Sequence, residues 1–358
     1  MWWGAWAACL PAVRRGVGAT NAQLGVVLLA VALAALPAML VTGRLANRAG
    51  PHLVWLTLAF FAAVGALPPL ASSRWGLFVF LLLVGAASGA LDVAINARAS
   101  GLEGTGGLRI MDGMHALYSA GVVVGGVGAG LLRRAGAHPT AILAGVCAVA
   151  FVVAALNWRV ERLPVPPARH AALARPLLLA GMVFAVSALL ESGVESWSAL
   201  LLENGLRTSP AVSGLGPGMF AAGMVAGRAL AQRVAPESAA LRLALSGIAA
   251  AAGLGLSAAA GVAAVAVAGV FVAGCGLALS VPTLLRLAGR LGGAPAISTV
   301  TVIGYCGFLV GPPLIGAVAG ATSLRGGFVF LACVGTLLVA SVPIVGRAGN
   351  DSPAQRGF

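Results

Sequence analysis

RVERLPVPPARHAALAR, residues 159–175, is the longest polar stretch among the apolar runs of this 358-residue chain, and it falls near the midpoint. Its proline and arginine content reads as a linker. What flanks it is overwhelmingly apolar: 60% of residues are hydrophobic, 9% are charged, and the mean hydropathy is +1.01. A water-soluble domain carries about 25% charged residues, so the polar surface here cannot clothe one. The chain reads as an all-α membrane protein. A spanning helix needs about 20 mostly apolar residues. Such runs occur near 22–43, 51–71, 75–99, 113–132 and 138–158 before the linker, and near 176–203, 209–231, 241–259, 262–288, 295–320 and 325–346 after it. Residues 1–13, MWWGAWAACLPAV, make a twelfth run, too short to cross about 30 Å of hydrocarbon at about 1.5 Å per residue. No basic region precedes it as in a signal peptide, so the expectation is a first helix, apparently truncated, whose leading half is missing. The domains expected are a six-helix bundle over 1–158, the linker 159–175, a second six-helix bundle over 176–346, and a tail over 347–358.

Charge and composition exclude several functions. All 22 basic residues of the Lys+Arg set are arginine. Without lysine there is neither a Walker A phosphate loop nor a Schiff base, which removes ATP-driven pumps and retinal proteins. The net charge of +13 would suit nucleic acid if it formed one polar face. The arginines instead sit in the gaps between apolar runs, as the positive-inside rule requires, so a lipid bilayer is the partner and no nucleic acid is expected. Cys9, Cys147, Cys275, Cys306 and Cys333 lie inside apolar runs without paired spacing, and read as small core residues. His52, His115, His138 and His170 are far apart; no metal and no cofactor are expected.

The two halves echo one another. Gly43-Arg44-Leu45-Ala46-Asn47-Arg48 and Gly227-Arg228-Ala229-Leu230-Ala231-Gln232-Arg233 lie 184 residues apart, Leu91-Asp92-Val93 and Leu279-Ser280-Val281 188 apart, and Trp6-Ala7-Ala8 and Trp197-Ser198-Ala199 191 apart. Similar offsets point to a duplicated half. With the linker placed in the cytoplasm, alternate loops hold 15 arginines on that side and 7 on the other, which puts both termini in the cytoplasm.

An acidic group inside a membrane helix costs about 2.5–3.5 kcal/mol on insertion scales and so faces a cavity or a partner. Asp92 lies deep in the fourth run, with Asn96 one turn on and Gly85, Ser88 and Gly89 beside it. Its carboxyl group can take up and release a proton, or it is a structural hydrogen-bond partner; the functional role is favoured. Glu191 and Glu195, spaced i,i+4 on the seventh run, share a face and influence each other's titration. Trp197, Ser192, Ser196 and Ser198 stand close by, a mixture that suits a small polar solute; Glu195 is either part of that site or hydrated at a helix end. His115, one turn from Asp112, is a proton relay or an interfacial cap. Tyr118 and Tyr305 line a cavity or pack between helices. Pro282 and Gly311-Pro312-Pro313 are bend points.

Gly43-Arg44-Leu45-Ala46-Asn47-Arg48-Ala49-Gly50 resembles the loop motif between the second and third helices of the major facilitator superfamily, with Asn47 where aspartate is usual and Pro51-His52 in place of trailing basic residues. Leu91-Asp92-Val93-Ala94-Ile95-Asn96 is similar to the fourth-helix pattern of the fucose-permease-like branch. That likeness extends through Met114-His115-Ala116-Leu117-Tyr118-Ser119, Glu191 with Trp197-Ser198-Ala199, and Gly304 to Gly316. Cys9 stands where that branch has a basic residue, and Ser280 where an amide is commoner.

The resemblance implies a monomeric inner-membrane transporter of major-facilitator-type fold, two six-helix bundles related by a pseudo-two-fold axis. Helices one, four, seven and ten would line a midplane site. It implies Asp92 as the proton-coupling group, and Asn96, Glu191, Glu195, Trp197, Trp6, Tyr118, Tyr305 and Ser280 as substrate-binding residues. Gly43, Arg44, Asn47, Arg48 and Gly50, with Gly227, Arg228 and Arg233 in the second half, would form a cytoplasmic gate. The function expected is a secondary active transporter, not an enzyme, carrying a small polar, sugar-like solute by proton symport. Efflux by proton antiport is the alternative, because Gly121-x-x-x-Gly125-Gly126-Val127-Gly128-Ala129-Gly130 is similar to the antiporter motif without its proline. A second alternative is a membrane protein that no longer transports.

Overall fold

The computed structural model describes residues 1–49, 52–106, 110–156, 174–234 and 238–343; most of the expected linker and all of the expected tail lie outside them. Among the described residues every element is helical. Before the linker run α1 (Trp2–Gly16), α2 (Asn21–Ala49), α3 (His52–Val64), α4 (Arg74–Gly106), α5 (Ile110–Arg134) and α6 (Pro139–Leu156). After it run α7 (Arg175–Leu200), a short α8 (Pro210–Ser213), α9 (Leu215–Val234), α10 (Ala239–Ala259), α11 (Ala263–Leu277), α12 (Ser280–Ala321) and α13 (Leu324–Ala340). Among the described residues nine stretches are long and apolar enough to cross a membrane. The first helix, α1, has 15 residues, roughly 22 Å at 1.5 Å per residue.

Local chemistry sets several boundaries. Proline opens α6 and stands near the start of α7, where its missing N–H has no intrahelical partner to lose. Ser238 and Ser323 cap α10 and α13, accepting from the Leu241 and Gly326 amides. The stretch α12 spans Ser280 to Ala321 but is two helices, broken at Gly292 and Gly293 within the gap foreseen between the runs 262–288 and 295–320. It kinks where Gly293 adopts φ 64° and ψ −152°, a conformation open to glycine alone. The tenth pass is therefore α11 joined to the start of α12, and the eleventh is the rest of α12.

The packing reproduces the duplication seen in the sequence. In the first half α1 packs on α5, α2 on α4 and α3 on α6; in the second α7 packs on α12, α9 on α11 and α10 on α13. Replacing each helix by the one six passes later converts the first set of pairs into the second. The principal contacts between halves, α2 on α12 and α5 on α9, exchange under the same operation. That is the pseudo-two-fold relation of two six-helix bundles.

Among the described residues, the closest backbone approaches between the halves lie toward one end. A Cβ on Gly214, between α8 and α9, would lie 2.5 Å from the Gly126 carbonyl oxygen and 2.9 Å from the Gly130 Cα of α5. On the other side of the molecule Gly25 of α2 lies against Pro312, Pro313 and Gly316 of α12. Such closeness of backbones requires residues without side chains. This is the sealed end, where α1, α3, α5 and α7 finish. At the linker end, where α2, α4 and α6 finish, Gly43 and Gly113 have open space around them and Arg44 is exposed. Tyr118, within α5, is 46% exposed. A cleft between the halves thus opens at the linker end and closes toward the sealed end.

Candidate functional site

Five helices deliver polar side chains to the cleft. Asp92 is held on α4 by Asn96, whose Nδ2 donates to the Asp92 carbonyl oxygen at 2.9 Å and to Oδ1 at 3.0 Å. Its other carboxyl oxygen, Oδ2, accepts from the Tyr305 hydroxyl of α12 at 3.4 Å. Asp92 therefore has one oxygen engaged within its own half and the other engaged across the cleft. The Tyr305 ring lies tilted against Phe308, 5.7 Å between centroids. Gly85 and Gly89 beside Asp92 serve helix packing: a Cβ on either would lie 2.1 Å from the Val31 or 2.6 Å from the Ala35 carbonyl oxygen of α2. They let α2 press against α4 and hold Asp92 toward the second half.

Glu191 and Glu195 are half-buried on α7. Tyr118 of α5 lies within electrostatic range of both, and of Asp92 and Tyr305. Arg228 of α9 faces Glu191 and donates from Nη1 to the buried Ser119 Oγ at 3.5 Å. From sequence Arg228 belongs to the gate repeat; in the structure it reaches Ser119 and lies within electrostatic range of Glu191. The signal was present, since Arg228 lies inside the apolar run 209–231 rather than beyond its end. Three carboxyl groups, one guanidinium, one amide and two phenols converge from α4, α5, α7, α9 and α12, a set that can hydrogen-bond a polar solute on several sides.

The remaining expected residues sit elsewhere. Trp197 is fully buried, and its indole N–H has no hydrogen-bond partner among the described residues. Trp6 is buried and stacks on Trp2 at 5.7 Å with 12° between planes. Ser280 is buried and donates to the Leu277 carbonyl at 2.8 Å. All three are in the packed interior. Gly43 and Arg44 lie near the linker end of α2; the side chains of Asn47, Arg48 and His115, and the whole of Gly50, are outside the described residues. Gly227 packs on α11, where a Cβ would lie 2.3 Å from the Cys275 carbonyl oxygen, and Arg233 is exposed near the end of α9.

Comparison with known proteins agrees with this geometry. Residues 1–301 match the Major Facilitator Superfamily. The chain is 31% identical over 344 residues to an uncharacterized MFS-type transporter of Yersinia pestis, spanning 94% of this chain and 89% of that one. It is 29% identical over 361 residues to the membrane protein MosC of Rhizobium meliloti, spanning 98% and 88%. In fold it is similar to a bacterial homolog of the human lysosomal transporter Spinster, solved inward-facing and unoccupied, with a TM-score of 0.75 at 15% identity over 97% of this chain and 94% of that one. It is also similar to the nucleoside transporter NupG, with a TM-score of 0.71 at 14% identity over 96% and 95%. The chain belongs to the Major Facilitator Superfamily. It is a multi-pass membrane protein and a secondary transporter of small-molecule solutes, not an enzyme.

Proposed function

We propose that the protein takes up a small polar, sugar-like solute together with a proton, through a cleft whose linker end faces the cytoplasm. The distribution of 15 arginines against 7 supports that sidedness, and the Leu91 to Asn96 pattern supports a place in the fucose-permease-like branch. Asp92 carries the proton; Asn96, Glu191, Glu195, Tyr118, Tyr305 and Arg228 contact the solute. The observation that carries this reading is the Tyr305 to Asp92 bond, 3.4 Å long and joining the two halves. A carboxylate accepts from a phenol more strongly than a carboxylic acid does. Loading a proton on Asp92 therefore weakens a link between the halves, so proton binding and domain movement share one bond. Proton antiport with efflux is the second reading, supported by the place of Gly126 and Gly130 in the seam between halves.

The test begins with a thermal-shift screen of the purified protein against monosaccharides, sugar acids and cationic drugs, followed by radiolabelled uptake of the hit in reconstituted vesicles. Asp92→Asn, fixed in the neutral form, abolishes accumulation driven by a pH gradient and leaves counterflow largely intact, because exchange moves no net proton. Glu191→Gln weakens solute binding about tenfold, the loss of one charge-assisted hydrogen bond, with a smaller effect on coupling. Unchanged pH-driven accumulation in Asp92→Asn would return that residue to a structural role, and uptake driven by an opposite gradient would favour efflux.

A further inference from the structure

Away from the cleft, one charged group is more completely satisfied than any in it. Glu203 lies in the π-helical turn Leu201–Gly205 that ends the seventh pass, a departure from α geometry of the kind found at functional positions. It is 9% exposed. Its Oε1 accepts from Arg133 Nη2 at 2.9 Å and Arg15 Nη2 at 2.8 Å; its Oε2 accepts from Arg133 Nη1 at 2.8 Å and Ser213 Oγ at 2.7 Å. Both oxygens are saturated, and the Arg133 pair is bidentate, the strongest arrangement for these groups. Arg133 Nη1 also reaches the Ala8 carbonyl oxygen of α1 at 2.5 Å, and Arg15 reaches Asn204 Oδ1 at 3.4 Å.

The membership of the cluster matters more than its strength. Glu203 and Ser213 belong to the second half, Arg15, Arg133 and Ala8 to the first. Arg133 lies three residues beyond Gly130, and Ser213 directly precedes Gly214, so the cluster adjoins the glycine seam that shuts the sealed end. If that end opens, Ser213 travels with Glu203 while three of its four donor contacts are lost. Breaking a buried pair is costly because each charge is left without its partner; here opening also admits water, which lowers that cost and makes the step reversible. The side chain of Arg15 is already 52% exposed and that of Arg133 only 4%, so Arg15 meets water first and Arg133 is released last.

We infer that Glu203, clasped by Arg133 and Arg15, is the latch of the sealed end: it sets how often this transporter opens on the side away from the linker. The inference rests on the proposed sidedness only for which compartment the opening faces. A single-cysteine reporter at Val127, on α5 against Gly218, in a variant lacking the five native cysteines, reads the opening. Right-side-out and inside-out vesicles are treated with a membrane-impermeant maleimide, and folding is checked by gel filtration and thermal melting.

Glu203→Gln raises the labelling rate from the sealed side about tenfold, one decade of population. The exchanged pair Glu203→Arg with Arg133→Glu, made together with Arg15→Gln so that no arginine faces the new one, restores the parent rate, because the bidentate contact re-forms with reversed charges. An increase seen only from the cytoplasmic face keeps the latch and overturns the sidedness. A folded Glu203→Gln protein labelled at the parent rate overturns the latch, as does an exchanged pair labelled as fast as Glu203→Gln. If Glu203→Gln does not fold, an exchanged pair that folds and labels at the parent rate supports the latch; one that also fails to fold makes the cluster structural.

Discussion

Asp92, Glu191 and Tyr305 were legible in the sequence because burying a polar or ionisable group among apolar residues is costly wherever it happens, so each stands out against its run. Trp197 shows where that logic stops. An indole beside two glutamates looks like a solute platform, yet helix phase turns it into the interior, where it is fully buried. The consequence is measurable in the purified protein: Trp197→Ala lowers stability by about 3–5 kcal/mol, whereas Trp197→Phe keeps solute affinity within twofold while costing less stability. A solute-binding tryptophan would show the opposite pattern, with affinity falling sharply in the phenylalanine variant. Arg228 is the reverse case. Its membership of a repeated Gly-Arg pattern drew attention to the gate, while its contact with Ser119 and its place opposite Glu191 depend on α9 packing beside α5 and α7.

At the level of helices, length and hydropathy located almost every pass, since the hydrocarbon thickness demands about 20 apolar residues whatever the fold. The break inside α12 at Gly292 and Gly293 falls where the gap was expected, because a glycine pair followed shortly by Pro295 reads locally as a loop. The glycine seam between α5 and the start of α9 carries a sharper expectation. Gly126→Leu inserts a side chain where Gly214 and Gly218 leave a Cβ about 3 Å of room, so it props the sealed end apart. Labelling of the Val127 reporter from that side then rises as it does in Glu203→Gln, and thermal stability falls by about 1–3 kcal/mol. Unaltered labelling in a folded Gly126→Leu protein would mean that the seam is passive padding.

For the molecule as a whole the duplication is visible twice, as offsets of 184, 188 and 191 residues in the sequence and as matched helix pairs in the packing. The proposed sidedness rests on arginine placement, and it yields a direct measurement. On a cysteine-free background, a cysteine at position 170 is shielded from impermeant reagent in intact cells and labelled in inside-out vesicles. Labelling from outside in intact cells would invert the topology and, with it, the side to which the cleft opens.

Composition, the spacing of apolar runs and the positions of a few acids are local quantities, set by the cost of placing charge and bare backbone in hydrocarbon, and from them the class of protein, its two halves and most of its cleft residues could be read. Which halves touch, and where, is not local. The bond from Tyr305 to Asp92 spans 213 residues of chain and the clasp of Arg133 on Glu203 spans 70. Neither has any signature in its neighbourhood, because an arginine just past the end of an apolar run looks the same whether it meets water or a buried carboxylate. Only the docking of one six-helix bundle on the other, allowed by glycines that bring backbones into contact, decides that one end is latched and the other open.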